Sequence, residues 1–278
     1  MRFAVNVSML FVDLPMNRRP EAAKQAGFDA VEMWWPFTTP EPADAEVDAL
    51  LSSIDDAGVE LTGLNFDAGD MPAGDRGLVS LPDQQARFRA NVPVAVDIAK
   101  RTGCRVINAL YGNRQEDVAP WRQDECALAN LAWAADAAHG VATVVLEPLN
   151  SYENPRYPVL HTTHGLDVIR QVQATGGTSI GLLYDAYHMQ RMEGNLIDTI
   201  SRHGAEFAHI QLADSPGRST PGTGEIAFGR VLDALQDTGY SGMVGLEYRS
   251  TTPDPFGWLS PSARSGELDT RPSDLVTA

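Results

Sequence analysis

Short apolar runs recur along the chain, and between them apolar positions return every three or four residues, so strands alternate with amphipathic helices. The first run, Phe3 to Val7, precedes a helical pattern from about Pro15 to Ala26 that Gly27 closes. Asp29 to Met33 follows, then a helix near Ala43 to Ala57 with Gly58 behind it, then the run Val59 to Asn65. The connection from Asp67 to Pro82 carries Gly69, Pro72, Gly74 and Gly77; a loop of that length is expected to be a functional lid or disordered. A helix near Asp83 to Thr102 contains Pro93 as a predicted kink and stops at Gly103. Arg105 to Leu110 is the fourth strand, and an alanine-rich helix from Trp121 to Ala138 ends before Gly140. Val141 to Glu147 is followed by a polar and aromatic loop, Ser151 to His161, and by a helix near Thr163 to Ala174. Ser179 to Tyr184 leads to a helix predicted over Gln190 to Arg202. Glu206 to Leu212, a Gly/Pro loop from Asp214 to Gly224, a helix near Glu225 to Thr238 and the run Gly242 to Tyr248 complete the pattern.

Eight strand-like runs separated by helices imply parallel pairing with right-handed crossovers, an α/β chain. Eight such units suit a closed (β/α)8 TIM barrel better than an open doubly wound sheet, and no G-x-G-x-x-G follows the first strand. No linker or shift in composition divides the chain, so residues 1–265 read as one catalytic barrel domain. The last helix is expected to be short or irregular, because Ser250 to Pro261 carries Pro253, Pro255 and Pro261; residues 266–278 read as a mobile tail.

Charge narrows the partners. The formal net charge is -16, and lysine occurs only at Lys24 and Lys100, so a phosphate backbone would be repelled and nucleic acid is excluded as a partner. Cys104 and Cys126 show no metal-site spacing and read as buried hydrophobes. No stretch is apolar enough to span a membrane and the first residues lack a signal-peptide core, so a cytoplasmic protein acting on a small molecule is expected. Homo-oligomerisation is left open.

Chemistry in such a barrel gathers at the carboxyl ends of the strands. Strand two ends in Glu32-Met33-Trp34-Trp35, strand five in Glu147, strand six in Asp185, strand seven in His209-Ile210-Gln211 and strand eight in Glu247. Glu147, Asp185, Gln211 and Glu247 hold comparable positions on four consecutive strands, and oxygen donors converging in this way suit one hard divalent metal ion, Mg2+ or Mn2+. Taken singly, each carboxylate fits an ordinary salt bridge; three ionised together in one barrel mouth would repel without a cation.

Four segments carry a resemblance: Asn6 to Phe11, Glu147-Pro148-Leu149-Asn150, the run Y-D-A-Y-H-M-Q-R-M-E-G from Tyr184 to Gly194, and Pro221 to Ile226. Together they resemble the hydroxypyruvate isomerase family of the xylose-isomerase-like TIM barrel superfamily, from the first strand to about Arg249. The resemblance implies that Glu147, Asp185, Gln211 and Glu247 hold a divalent metal and that Glu147 and Glu247 are the acid/base pair. Gln211 stands where related sugar epimerases often have histidine. Where the family reads E-Y-K-P this chain has Glu247-Tyr248-Arg249-Ser250, and its C-terminal wall departs from the pattern.

Aldose–ketose isomerisation moves a proton between adjacent carbons through an enediolate. It needs a base over the C–H bond, a group that returns the proton and an electrophile for the oxygen. Arg218 is a candidate partner for a substrate carboxylate. His188 either bonds a substrate oxygen or orients Asp185; Glu153 either meets substrate or His188, or is an exposed loop acid. Trp34, Trp35 and Phe11 are either pocket walls or barrel-top packing, Arg76 reaches the site if its loop closes over it, and His209 is a supporting or core residue. The expected reaction interconverts hydroxypyruvate and 2-hydroxy-3-oxopropanoate. The rivals are the same reaction on 2-oxotetronate, ketose 3-epimerisation, and a sugar-acid binding protein without catalysis. A multi-zinc endonuclease on a related barrel is disfavoured by six histidines and the acidic charge.

Overall fold

The computed structural model describes residues 1–266, Arg271 and Ser273; most of the expected tail at 266–278 lies outside the described residues. Eight strands, β1 (Arg2–Asn6), β2 (Ala30–Met33), β3 (Glu60–Asn65), β4 (Val106–Asn108), β5 (Thr143–Leu146), β6 (Ile180–Asp185), β7 (Phe207–Leu212) and β8 (Met243–Leu246), close into one parallel barrel in sequence order. Closure runs through β1 and β8, with Phe3 opposite Val244 and Val5 opposite Leu246. The outer ring is α1 (Arg19–Gln25), α2 (Asp44–Ala57), α3 (Gln85–Thr102), α4 (Pro120–Ala137), α5 (Thr162–Ala174), α6 (Ala186–Met192), α7 (Leu196–His203), α8 (Phe228–Asp237) and the short α9 (Pro261–Arg264). Each helix buries an apolar stripe against the strands, as with Val168, Ile169 and Val172 on α5 and Val231, Leu232 and Leu235 on α8. No helix among the described residues is long and apolar enough to cross a membrane.

Two expectations change. The helix predicted over Gln190 to Arg202 is two helices, α6 and α7, because Gly194 (φ 61°) and Asn195 (φ 48°) take left-handed backbone. Glycine adopts that conformation without strain and asparagine tolerates it better than most residues. α6 starts directly after Asp185, whose Oδ1 caps the helix by accepting from the Tyr187 amide at 2.8 Å.

The long connection between β3 and α3 is anchored across the barrel mouth. Gly112 donates its amide to the Arg76 carbonyl at 2.9 Å, Ser80 to Tyr111 at 2.7 Å, and the Asn113 side chain to Gly74 at 2.9 Å. A Cβ on Gly77, where φ is 103°, would lie 1.9 Å from the Leu110 carbonyl oxygen, so only glycine permits this approach to the end of β4. The loop is a wall of the site.

Candidate active site

Glu147 follows the last residue of β5 and Glu247 the last of β8, so both project from strand ends into the barrel mouth. They share a cavity of about 260 Å³ with Trp34, His188, Arg218 and Glu153. Asp185 adjoins it, with Oδ2 3.7 Å from His188 Nε2 and 3.5 Å from an Arg218 nitrogen. Except for Glu153, which is exposed, Trp34, which is half-buried, and Arg218, which keeps a little exposure, these side chains are buried.

Glu147 is held through one oxygen and Glu247 through both. Glu147 Oε2 accepts from Asn108 Nδ2 at 2.7 Å, which leaves Oε1 toward the cavity, 3.8 Å from His188 Nε2. Glu247 Oε1 accepts from Asn6 Nδ2 at 3.2 Å and from the Trp34 indole, while Oε2 accepts from Arg218 at 2.6 Å. Burial pushes the Glu147 carboxyl well above its ordinary range, helped by the charges of Glu247 and Asp185. Burial likewise raises Asp185 to about 7, against the pull of Arg218. Glu247 is raised by burial, with Arg218 opposing and Glu32 reinforcing the shift. Arg218 is the internal counter-ion of this cluster: burial opposes its charge, but Glu247, Asp185, Glu147 and Glu153 outweigh that and hold it protonated. One terminal nitrogen, Nη2, is thus committed to Glu247, while Nε is buried without a hydrogen-bond partner among the described residues and the residue still lines the cavity.

His188 is fixed in one tautomer. Its Nδ1 accepts from the Asn150 amide at 3.0 Å, so the neutral ring carries its proton on Nε2, which is buried without a partner and faces Glu147 and Asp185. Burial, and then Arg218, Arg76 and Arg191, push its pKa well below the usual value, keeping the ring neutral. It is a hydrogen-bond donor placed for a substrate oxygen. Glu153 sits at the cavity wall, accepting from the Tyr187 hydroxyl at 2.6 Å and from Asn150 Nδ2 at 3.0 Å. Those bonds and Arg218 lower its pKa against the effect of burial.

A metal is compatible with this donor set. Ligand atoms of Glu147, Asp185 and His188 lie within 4.8 Å of one another, and all three residues are buried. Gln211 Oε1 is buried with no hydrogen-bond partner, an acceptor in want of a donor or a cation. Glu147 Oε1 and Asp185 Oδ2 lie 3.8 and 3.7 Å from His188 Nε2, Gln211 pairs with Asp185 across β6 and β7, and oxygens of this kind are what hard divalent cations take. The His188 tautomer places that residue beside such an ion as a donor.

Other expected residues fall elsewhere. Phe11 is outside the cavity: its backbone is left-handed (φ 60°) and its ring packs 6.0 Å from that of Phe256, so it is barrel-top packing. Trp35 packs on Phe37 in an adjoining pocket. Arg76, from the anchored loop, does line the cavity.

Residues beneath the site were under-read in the sequence. Gln211 opens onto a small chamber with Glu32, His209, Asn6 and Asn108. Glu32 Oε1 accepts from Asn6 at 3.0 Å and from Gln211 at 2.7 Å, and Oε2 meets His209 Nε2 at 2.7 Å. A Cβ on Gly245 would come within 2.4 Å of Glu32 Oε2, so β8 leaves room for this carboxylate. A charged residue inside the apolar strand Ala30–Met33, and asparagines ending β1 and β4, were the available signals.

The fold and the site's carboxylates define a class: the sequence profile of the xylose isomerase-like TIM barrel family matches residues 20–265, and the chain belongs to that family. Among its relatives, a Streptomyces coelicolor protein provisionally named hydroxypyruvate isomerase is 47% identical over 95% of this chain and 97% of its own length. The hydroxypyruvate isomerase of Escherichia coli K12 is 33% identical, covering 94% and 99%. A 2-oxo-tetronate isomerase of Cupriavidus necator is 35% identical, covering 94% and 98%. A crystal structure titled as a family 2 AP endonuclease from Brucella melitensis superposes with a TM-score of 0.83 at 30% identity, over 92% of this chain and 97% of that one. The chain is an isomerase of this family.

Proposed function

We propose that the protein interconverts hydroxypyruvate and 2-hydroxy-3-oxopropanoate by proton transfer between neighbouring carbons, with one divalent cation, Mg2+ or Mn2+, as cofactor. The observation that carries this reading is the pair Glu147 and Glu247, both buried and facing one small cavity from β5 and β8. A binding protein has no use for two raised carboxyls placed in this way. One glutamate takes a proton from C3 of hydroxypyruvate, giving an enediolate; the other returns a proton to C2. The C3 hydroxyl proton passes to the C2 oxygen, so the atoms balance. Raised carboxyls suit this work because burial, which lifts both above the ordinary carboxylate range, makes each a stronger base than a solvated glutamate.

Glu147, Asp185, Gln211 and Glu247 would hold the cation, which supplies positive charge to the oxygens where negative charge develops. His188 donates from Nε2 to a substrate oxygen. Arg218 keeps Glu247 and Asp185 in place, and Glu153 and Trp34 complete the wall. A small-molecule substrate is the partner this cavity suits.

One observation favours a second reading, the same reaction on 2-oxotetronate. A pocket lined by Asp67, Arg87, Met71, Pro72 and Trp34 adjoins the cavity and shares the last three with it, which offers room for one more carbon.

The test is an NMR assay in deuterated buffer with Mn2+ or Mg2+, comparing hydroxypyruvate, 2-oxotetronate and neutral ketoses. Isomerised product carrying solvent deuterium is expected from the acids. Glu147→Gln and Glu247→Gln should each lower kcat by about 10²-fold or more while preserving the fold. Full turnover in either variant would falsify the two-glutamate mechanism.

A further inference from the structure

Arg76 lines the same cavity as Glu147 and Glu247, yet the proton transfer makes no use of it. Its guanidinium is set in place before any ligand arrives. Nε donates to Asn154 Oδ1, and one terminal nitrogen donates to the carbonyls of Asp75 at 2.6 Å and Met71 at 3.1 Å. The other terminal nitrogen makes no hydrogen bond among the described residues, and its two N–H groups are available to a ligand. Asn154 is in turn tied to the Asn150 carbonyl at 3.1 Å, and the Asn150 amide fixes the His188 tautomer. One hydrogen-bonded chain therefore positions both His188 and Arg76.

The surroundings of Arg76 call for an anion. Burial and the neighbouring charge of Arg218 hold its pKa below the ordinary value and outweigh the opposing charges of Glu153 and Asp75, although a guanidinium stays charged. Arg218 has Nη2 engaged by Glu247 and Asp185, whose charges, with those of Glu147 and Glu153, already balance its own, although its Nε has no partner among the described residues. Glu153 already accepts from Tyr187 and Asn150. Arg249 stands exposed on the same wall, and the remaining lining includes Leu110, Leu149, Met71 and Pro72, which offer a carboxylate nothing. The cavity thus combines an acidic part, where the proton moves, with a wall that carries arginine charge.

We propose that Arg76, with Arg249 elsewhere in the lining of the same cavity, recognises the substrate carboxylate and makes the site select short 2-oxo and 2-hydroxy acids over neutral ketoses of the same length. This rests on the isomerase reading above and adds the group that sets substrate class, a task the sequence had assigned to Arg218. A guanidinium offering two N–H donors to a carboxylate in a half-buried site gives a charge-assisted contact that a neutral hydroxymethyl group cannot replace.

The experiment measures binding, so that it stands apart from turnover. D-Glycerate, which this reaction does not consume, and its neutral counterpart glycerol are titrated calorimetrically into Mn2+-supplemented protein. Arg76→Met is expected to lower the ratio of glycerate to glycerol affinity by about 10- to 100-fold, and Arg76→Lys by a smaller factor. Asn154→Ala removes the acceptor that seats Arg76 Nε while leaving the guanidinium charge, so it should lower the same ratio by a smaller factor than Arg76→Met. An unchanged ratio in Arg76→Met, or equal weakening of both ligands, overturns the assignment. Should Arg76→Met not fold, an unchanged ratio in Arg76→Lys overturns it equally. Arg76-dependent glycerate binding by a protein that fails to isomerise hydroxypyruvate would refute the isomerase reading and support this one. Turnover with no acid preference would do the reverse.

Discussion

At the scale of single residues, the side chain with most influence on the site for least contact with it is Glu32. Its Oε1 receives both Asn6 and Gln211, and Asn6 also bonds Glu247, so one oxygen registers two of the residues assigned to the cation. A buried carboxylate with its bonds satisfied orients its partners; removing it leaves Gln211 without its acceptor and Asn6 with Glu247 alone. Glu32→Ala should therefore weaken Mn2+ binding and lower kcat, each by about 10- to 100-fold. Glu32→Gln should retain most of both, because its amide oxygen can keep Asn6 and Gln211 while its NH2 meets His209. Titration calorimetry with Mn2+ alongside steady-state kinetics decides the matter: wild-type Mn2+ affinity in Glu32→Ala would show that the network is packing and nothing more.

At the scale of elements, the loop between β7 and α8 shows how one buried acid shapes a catalytic segment. Asp214 Oδ1 accepts from the amides of Ser215 at 2.9 Å and Ile226 at 3.1 Å, and Oδ2 from those of Gly222 and Gly224, both at 2.8 Å. A Cβ on Gly224 would sit 2.1 Å from the Ser215 carbonyl oxygen, so the loop closes tightly on itself around that carboxylate. The closed loop presents Arg218 in a left-handed conformation (φ 50°) toward Glu247. Asp214→Asn places an NH2 against backbone donors, and the expected cost is about 2 to 4 kcal/mol of stability in urea denaturation. The accompanying loss in kcat/KM should be at least tenfold, since Arg218 is displaced with the loop; wild-type kinetics in a destabilised variant would separate the loop from the chemistry. This element also marks how far sequence reading reached. Strand starts, helix stops and the glutamates at strand ends were legible because periodicity and glycine caps are local. The interruption after Met192 was not, because a helix can be continued through Gly194 and Asn195 unless tertiary packing demands the left-handed turn. Arg218 was found by its loop, but its commitment to Glu247 depends on a contact between β7–α8 and β8 that spacing does not encode.

At the scale of the whole molecule, the acidic balance of -16 continues into the barrel mouth, where the cluster of Glu147, Asp185 and Glu247 has Arg218 as its bonded counter-ion. Burial raises Asp185 from 3.8 in the open chain to about 7 in the metal-free fold. Between those values the folded protein binds a proton that the unfolded chain has released. The stability contributed by this group is therefore full below the lower value and lost as pH rises through the upper one. A divalent cation binds the ionised carboxylates and displaces that proton, so the stabilisation it brings should grow across the same window. At about 100 times its dissociation constant near pH 8, Mn2+ should add about 2.7 kcal/mol, a rise in Tm of roughly 5 to 10 °C. At the same total Mn2+ near pH 5.5 the rise should be smaller, because protons compete for the same oxygens. Thermal denaturation at both pH values, with and without chelator, measures this directly. Asp185→Asn removes the competing proton along with a ligand, so its response to Mn2+ should be weaker and flatter with pH. An equal rise in Tm at both pH values in the wild type would mean that the cation binds away from these carboxylates and that Arg218 alone balances their charge.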